Sequence, residues 1–474
     1  MPDASTDLFA HRAGQARNGS AYEGFRKFAS YQSCPLMLRA LLRLSLLLVG
    51  LNTLPLPGRG QARTDLTRAK GYFAEWRAAA ARDAGRFWGR SLAGPVLLVE
   101  PDARWVLANV PDSAGLLRAA GGVYAGTLPT RFNVANTAVR WAGRRWSMLL
   151  WPLPADHAER LTLLAHESFH RLQPALGFTI PELSNAHLDQ EAGRGYLRLE
   201  LAALRQALQA ATPAQAQART RAALSFRAAR RRRYPAAAAA AENALELNEG
   251  LAEYTGLQLS GRSAAQQRQH LLAASQAFER SPSFVRSFAY LTLPLYGYLL
   301  RPQAPRWHRQ ITSSTDLTAL FNAAFRVRPT APAALRALES AYGGRAIREQ
   351  ERAREQRQQR QLAVYRQQFQ VAPHLIIPLR KMNVAFDPRT AVPLDTAGTV
   401  YPTLRVTDDW GVLTASGGAL LGARWNQVTV PAPTDTLAPA AVAGPGYTLQ
   451  LPTGWRVRRT PDGNFQLRPT ASPK

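Results

Sequence analysis

The sequence predicts an α+β fold that ends in an all-β domain. Three observations indicate this: short, proline-bounded apolar runs before residue 156, helical periodicity over 157–344, and alternating Thr, Val, Pro and Gly-rich runs over 371–474. The chain has 474 residues and is 46% hydrophobic, which is sufficient for a globular core. This composition excludes a disordered, collagen-like or disulfide-stapled description of the whole chain.

Residues 37–62 have the organisation of a secretory signal peptide. Basic residues precede an apolar run over 44–51, and a Pro- and Gly-rich end follows it. The apolar run is too short to span a membrane, which takes about 20 residues. We therefore expect Met37 to be the true start and residues 1–36 not to belong to the natural product. The protein is then secreted or periplasmic and has no membrane span.

The chain is strongly basic, with 59 Lys and Arg residues, 32 Asp and Glu residues and a formal charge of +27. Such a charge suggests nucleic acid or an anionic surface as a partner. Because the signal peptide would take the protein away from DNA, we expect no nucleic-acid partner and consider an anionic cell envelope instead. Much of the charge lies in the arginine run 230–233 and along residues 345–369.

Residues 63–156 are predicted to form the mixed α/β beginning of a catalytic unit. An Ala-rich stretch with several aromatic residues indicates a helix over about 64–92. The strands that should follow are two short apolar runs and one hairpin, over 95–101, 104–111 and 136–141 with 145–151.

A mainly helical part is predicted for residues 157–344. Asp156 is a suitable N-cap for a first helix that runs through His166 and His170 to a stop near Pro174. Residues 345–370 form a Gln, Arg and Glu-rich helix with almost no apolar stripe, which indicates a solvated, charged spacer. The all-β domain over 371–474 includes a turn at 461–464 between two strands.

The predicted helix after Asp156 contains the motif His166-Glu167-Ser168-Phe169-His170, an HExxH pattern. Two histidines four residues apart project from one helix face, so both imidazoles can reach one zinc ion at about 2.0 Å. Glu167 can then take a proton from water that zinc activates. The alternative is a helix with two ordinary surface histidines.

A catalytic zinc site needs a third protein ligand and an open position. Four glutamates follow downstream at spacings of 4, 3 and 4 residues and are predicted to share one helical face: Glu242, Glu246, Glu249 and Glu253. Spacing alone does not choose among them, and a solvated acidic face is the alternative.

The HExxH helix followed by Asn248-Glu249-Gly250-Leu251-Ala252-Glu253-Tyr254 resembles the gluzincin clan of zinc metallopeptidases, the thermolysin-like peptidases. The resemblance implies a zincin-like catalytic domain, with Glu249 as the third zinc ligand. It also implies that Glu253 and Asn248 lie next to the metal ligands and orient them. Glu246 is the runner-up for the third ligand, and His187 is the best rival from outside this motif.

Transition-state stabilisation requires a donor aimed at the developing oxyanion, and Tyr296 is the nominated residue. The segment 145–151 is the candidate edge strand for pairing with an extended peptide. The chain has no Walker loop, no GxSxG elbow and, after residue 62, no cysteine nucleophile.

The sequence thus predicts an exported zinc metallohydrolase, most simply a peptidase acting on peptide or protein substrates. The competing hypothesis is a non-catalytic, basic cell-envelope-binding protein with a structural or vestigial zinc site.

Overall fold

The computed structural model describes residues 59–327, 330–386, 390–434 and 441–470. Residues 1–36 and the predicted signal peptide, except for its residues 59–62, lie outside the described residues. The chain divides into two compact units, one ending at Ala363 and the other containing Val364–Lys474. The first is mixed α and β with a large helical region and the second is β-rich, so the predicted α+β class is confirmed. No helix in the described part has the length and apolarity that crossing a membrane requires.

The first unit contains a six-stranded mixed sheet with the order β3-β4-β2-β1-β6-β5. Only the β1–β6 pair is parallel. The predicted hairpin is present as β5 and β6, whose register pairs Trp141 with Arg144. The strands are β1 (Val96–Val99), β2 (Trp105–Ala108), β3 (Arg118–Ala120), β4 (Val123–Thr127), β5 (Thr137–Trp141) and β6 (Arg144–Leu150).

The segment 145–151 is not an edge strand, which corrects the prediction. It lies in β6, which has β1 on one side and β5 on the other. The buried run Val96–Val99 pairs in parallel with β6 through Val96 and Ser147, and this distant partner leaves no local signal in the hairpin sequence. In the part of the chain that the structure describes, the edge strands of this sheet are β5 and β3.

Eleven helices lie among the described residues, and most belong to the first unit. Helix α1 ends earlier than predicted, where Ala84 and Gly85 adopt positive φ angles of 49° and 74°. The helices are α1 (Arg59–Asp83), α2 (His157–Leu172), α3 (Glu191–Leu208), α4 (Pro213–Arg231), α5 (Ala236–Leu245), α6 (Leu251–Leu259), α7 (Ala264–Phe278), α8 (Ala289–Leu300), α9 (Leu317–Phe325), α10 (Pro332–Ala341) and α11 (Gly344–Arg366).

Helix α2 carries the HExxH motif and begins as predicted. The Asp156 side chain accepts a hydrogen bond of 2.8 Å from the Glu159 backbone N–H, which caps the helix. Its buried face packs against the sheet, where Leu161 and Phe169 share one core with Leu98 and Leu149. The helix that bears the motif is therefore fixed beneath the sheet by apolar burial.

Helices α2 and α6 approach each other closely because α6 has a glycine at the contact. A Cβ at Gly256 would lie 2.7 Å from the Thr162 carbonyl oxygen, closer than packing allows. This contact brings the two motif-bearing segments of the chain together.

Helix α11 is only partly the solvated spacer that its composition predicts. Glu351 is buried and accepts hydrogen bonds from Arg194 Nε at 2.8 Å and Arg198 Nη1 at 2.7 Å. Ion pairs, and not an apolar stripe, thus attach its first half to the first unit. A hydrophobicity pattern does not detect attachment of this kind. The boundary between the units falls inside the predicted spacer, at Val364.

The second unit contains two sheets and is β-rich. The seven-stranded sheet has the order β17-β18-β7-β14-β13-β10-β9, and the five-stranded sheet has the order β15-β16-β12-β11-β8. A buried core that includes Trp410, Val428 and Leu449 belongs to this unit. The predicted turn at 461–464 joins β17 to β18. The strands are β7 (His374–Pro378), β8 (Asn383–Phe386), β9 (Val392–Leu394), β10 (Gly398–Tyr401), β11 (Leu404–Asp408), β12 (Gly411–Ala415), β13 (Ala419–Gly422), β14 (Gln427–Pro431), β15 (Ala441–Gly444), β16 (Tyr447–Gln450), β17 (Trp455–Arg459) and β18 (Phe465–Pro469).

His308 in the first unit is a buried neutral histidine. Its ring stacks on Phe87 at 3.9 Å between centroids, and its Nε2 lies 2.8 Å from the Phe87 carbonyl oxygen. Its Nδ1 is buried and has no hydrogen-bond partner in the described residues. Burial lowers the pKa of His308 from its ordinary value near 6.5 to about 4, because a second ring proton would have no acceptor.

We expect His308 to destabilise the fold as the pH falls. Its folded-state pKa lies below the unfolded value, so the unfolded chain takes up the proton first, and stability is lost from about pH 6.5 downward. The loss should reach ~2 kcal/mol by about pH 5. Urea unfolding of wild type and His308→Asn at about pH 7 and pH 5 measures this. The variant should lose less free energy of unfolding between these pH values; equal losses would contradict the assignment.

Candidate metal centre

Three potential ligand atoms meet between helix α2 and the segment that precedes α6. His170 Nε2 lies 3.0 Å from His166 Nε2 and 3.2 Å from Glu249 Oε2, and His166 Nε2 lies 3.4 Å from the same carboxylate oxygen. Ligands of a tetrahedral zinc ion, at about 2.0–2.1 Å from the metal, are themselves about 3.3 Å apart. The spacing of these atoms therefore fits one zinc ion. Within the described residues this is the one group of three such side chains that could hold a metal.

Each ligand is brought here by a simple local feature of the chain. His166 and His170 lie one turn apart on α2 and so project from the same face. Glu249 comes from a π turn, Glu246–Gly250, inserted between α5 and α6. Gly250 lets this turn pack closely on α8, since a Cβ there would lie 2.7 Å from Leu293 Cβ and 3.0 Å from the Ala289 carbonyl oxygen.

The four glutamates do not share one helical face, contrary to prediction. The π turn adds a residue to the helical turn and changes the direction in which later side chains point. Glu242 and Glu246 consequently face buried arginines, whereas Glu249 and Glu253 face the histidines. The runner-up ligand Glu246 is thus occupied elsewhere.

The second ring nitrogen of each histidine also has a partner. His166 Nδ1 lies 2.9 Å from Glu253 Oε2, and His170 Nδ1 lies 2.8 Å from Gln173 Oε1. These acceptors fix the tautomers in which Nδ1 carries the proton and Nε2 offers its lone pair to a metal. Although burial opposes the charged form, hydrogen bonds that the His166 ring donates to Glu249 and Glu253 raise the pKa of His166 to about 10.

Gln173 is a supporting residue that the sequence analysis missed. Its Nε2 donates to Asn248 Oδ1 at 3.2 Å, and Asn248 Nδ2 donates to Glu249 Oε1 at 3.1 Å. One chain of hydrogen bonds thus joins His170 to Glu249 through two amides. The sequence feature that could have identified Gln173 is its position three residues after His170, at the end of the same helix. Asn248 thus contacts Glu249 directly.

Glu167 has a carboxylate that its surroundings leave partly unsatisfied. Its side chain is buried, and no hydrogen bond to Oε2 occurs in the part of the chain described. Burial raises the pKa of Glu167 above its ordinary value. A buried carboxylate oxygen of this kind is expected to have a partner, and water or a ligand beside the three ligand atoms would supply one.

Tyr290 of α8, and not Tyr296, contacts the centre. The Tyr290 hydroxyl donates to Glu249 Oε2 at 2.6 Å, and its ring stacks on His166 at 5.5 Å with an interplanar angle of 6°. Burial and the nearby Glu249 raise the pKa of Tyr290 well above its usual range. A tyrosine that remains protonated can act as a hydrogen-bond donor here.

The nomination of Tyr296 is corrected by its position. It is fully buried, and its hydroxyl donates to Glu200 Oε1 at 2.8 Å. Six residues separate it from Tyr290, a rotation of about 240° in an α-helix, so the two rings point to different sides of α8. The apolar segment contained three tyrosines, and its hydrophobicity did not show which face met the ligands.

Beneath the centre lies a buried network of arginines and glutamates. Arg227 bonds Glu200 at 2.7 Å and holds Glu246 with two hydrogen bonds, of 2.9 and 2.6 Å. Arg230 bonds Glu242 and Glu200 in the same way. Both guanidinium groups are completely buried.

This network also contains His187 and part of the arginine run 230–233, for which the sequence predicted other roles. His187, the rival ligand, lies with Nε2 2.9 Å from Glu242 Oε1 and is not part of the metal cluster. In the arginine run 230–233, Arg230 is buried and Arg231 bonds Glu242. Half of that run therefore compensates internal carboxylates and cannot form an anion-binding surface.

The network also reaches the residues around the metal ligands. Thr292 donates to Glu246 Oε1 at 2.5 Å, and it lies two residues after Tyr290 on α8. Glu246 itself is three residues before Glu249 in the π turn. Arg227, Glu246 and Thr292 thus fix the π turn against α8, and with it the geometry of Glu249 and Tyr290.

Comparisons with protein families, with curated proteins and with solved structures find no match for this chain. The assignment of the centre therefore rests on its residues and their geometry.

Loss of one imidazole should abolish tight metal binding. We expect His170→Gln to weaken zinc affinity by more than about 100-fold, because a site of two ligands cannot replace a site of three. His374→Gln, in β7 of the second unit, is the control and should retain the wild-type affinity. Competition with a chromophoric chelator measures both constants, and circular dichroism verifies folding. Equal affinity of wild type and His170→Gln would refute the centre.

Removal of one buried guanidinium should destabilise the first unit. Arg227→Met leaves Glu246 without an ion-pair partner in the described interior and leaves Glu200 with Arg230 alone. Breaking a buried ion pair in this way typically costs ~3–5 kcal/mol. Arg232→Met changes an exposed arginine in the adjacent turn and should alter the free energy of unfolding by less than about 0.5 kcal/mol. Denaturant unfolding of the metal-free variants compares them. Similar stabilities for both variants would show that the network is not structural.

Proposed function

We propose that this protein is a zinc-dependent metallopeptidase of the gluzincin type that is exported from the cytoplasm. The single observation that carries the proposal is the triangle of His166, His170 and Glu249 with the unsatisfied carboxylate of Glu167 beside it. A structural zinc site is closed by four protein ligands, whereas a catalytic site has three and one open position. Three protein ligands and a neighbouring base support hydrolysis.

A zinc ion bound here would supply Lewis acidity and a nucleophile that is available at neutral pH. The chain's own residues provide the proton transfers and the orientation. Glu167 is the general base: it accepts the proton of the attacking water and delivers it to the leaving amine. Burial raises the pKa of Glu167 above its ordinary value, which makes the carboxylate a better proton acceptor than an exposed glutamate.

Tyr290 takes the role that the sequence analysis gave to Tyr296. Its hydroxyl is directed into the centre, and its raised pKa keeps it protonated. Such a donor stabilises the oxyanion that develops on the substrate carbonyl. Glu253 and Gln173 keep the two imidazoles in the orientation that ligation needs.

The proposed substrate is an extended peptide. Strand β5 is an edge of the six-stranded sheet, so within the described ranges no other strand pairs with one side of its backbone. A peptide added there would extend the sheet next to helix α2. A sheet above an HExxH helix, with a second ligand-bearing helix behind it, is consistent with a zincin-like arrangement.

The alternative of a non-catalytic envelope-binding protein has less support. It draws on the charge of the arginine run 230–233 and of residues 345–369, and half of the first run is engaged with internal carboxylates.

Glu167→Gln separates the two hypotheses. The variant should retain zinc and lose hydrolysis by about 10²–10⁴-fold, because the amide cannot accept the proton. Mass spectrometry of a broad peptide library, together with metal analysis, measures both properties. Wild-type protein that holds stoichiometric zinc but shows no Glu167-dependent cleavage would refute the peptidase proposal.

A further inference from the structure

Two arginines face each other on the strand pair beside the metal-site helix. Arg140 of β5 lies directly opposite Arg145 of β6 in the antiparallel register. Arg140 is exposed and Arg145 is half-buried. Like charges placed directly opposite each other on neighbouring strands destabilise a sheet. In the described chain neither guanidinium has an ion pair with a carboxylate.

Both side chains lie on the face of the sheet that meets helix α2. Ser147, two residues beyond Arg145 in β6, contacts Ser168 of α2 with 3.4 Å between the hydroxyl oxygens. Side chains alternate along a strand, so Arg145 shares this face with Ser147. Arg140 has the same orientation because directly paired residues of an antiparallel sheet point to the same side.

Arg145 extends to the end of α2 that bears a metal ligand. Its Nη2 donates to the His170 carbonyl oxygen at 3.3 Å, and its Nε donates to the Arg171 carbonyl oxygen at 3.1 Å. A cation at the C-terminus of a helix is favourable because it satisfies free carbonyl groups there. This accounts for Arg145. It does not account for Arg140, which makes the local charge larger than the helix end requires.

We propose that Arg140, supported by Arg145, is a subsite for a carboxylate side chain of the substrate, so that the protein prefers peptides with Asp or Glu near the scissile bond. This inference rests on the proposed peptidase function. A peptide paired with β5 would place alternate side chains on the face of Arg140, with cross-strand Cβ atoms about 5 Å apart. The planar guanidinium fork matches a carboxylate in geometry as well as in charge.

The test uses zinc-loaded full-length protein and peptide pairs that differ by Glu or Gln at single positions on either side of the cleaved bond. Wild type should cleave the best Glu peptide with about three- to tenfold higher kcat/KM at low salt, and the advantage should shrink as salt is added. Arg140→Glu should remove this preference and favour Lys at the same position. Arg118→Glu is the matched control, since Arg118 is exposed on β3 at the opposite edge of the sheet; it should retain the wild-type preference.

Peptide binding gives a second readout that does not depend on turnover. The zinc-loaded Glu167→Gln protein should bind Glu peptides more tightly than Gln peptides, and adding Arg140→Glu should abolish the difference. If peptides are cleaved with no preference between Glu and Gln, this inference is overturned and the peptidase proposal stands. If no peptide is cleaved, the peptidase proposal fails. If peptides bind but show no Arg140-dependent preference for Glu over Gln, the subsite is overturned whatever the outcome of the cleavage assay.

Discussion

The arrangement of the first unit depends on the burial of Arg227 between two carboxylates. A guanidinium taken out of water is tolerated only when its donors are satisfied, and Glu200 and Glu246 satisfy them from two different parts of the chain. Coulombic attraction to these partners, acting against the desolvation cost of burial, keeps the pKa of Arg227 well above its usual range. The backbone around Glu246 therefore cannot shift without leaving a charge unpaired in the interior. Because Glu249 belongs to the same π turn, the ion network limits where the third metal ligand can lie.

Apolar packing and close backbone contacts place the other half of the centre. Helix α2 is fixed to the sheet by its buried face, and α6 comes close to it because Gly256 has no side chain. The histidines are thus positioned by the core, whereas Glu249 and Tyr290 are positioned by buried charge. Each histidine ligand has a supporting partner as well: Glu253 for His166, and Gln173 for His170. Two independent interactions, apolar packing and buried ion pairing, thus determine the geometry of the centre.

Local signals made part of this structure predictable. The Asp156 cap, the HExxH helix, the β5–β6 hairpin and the all-β second unit are each encoded within short stretches of sequence, and the structure contains all of them. Features that depend on distant partners were missed. The parallel pairing of β1 with β6 moved the free edge of the sheet to β5, and the π turn separated glutamates that an ideal helix would align. Tyr290 was overlooked for Tyr296 because a uniformly apolar helix does not reveal which face meets polar ligands.

The π turn has a consequence for how this protein can vary. A π turn corresponds to one residue inserted into an α-helix. Deletion of a single residue between Leu245 and Leu251 would restore the regular helix and rotate all that follows by about 100°. Glu253 would then leave His166, although no residue of the centre had been replaced. A homologous chain that retained both motifs but lacked this extra residue would need another change to return Glu253 to His166. The length of the segment therefore identifies the centre as much as its residue types do.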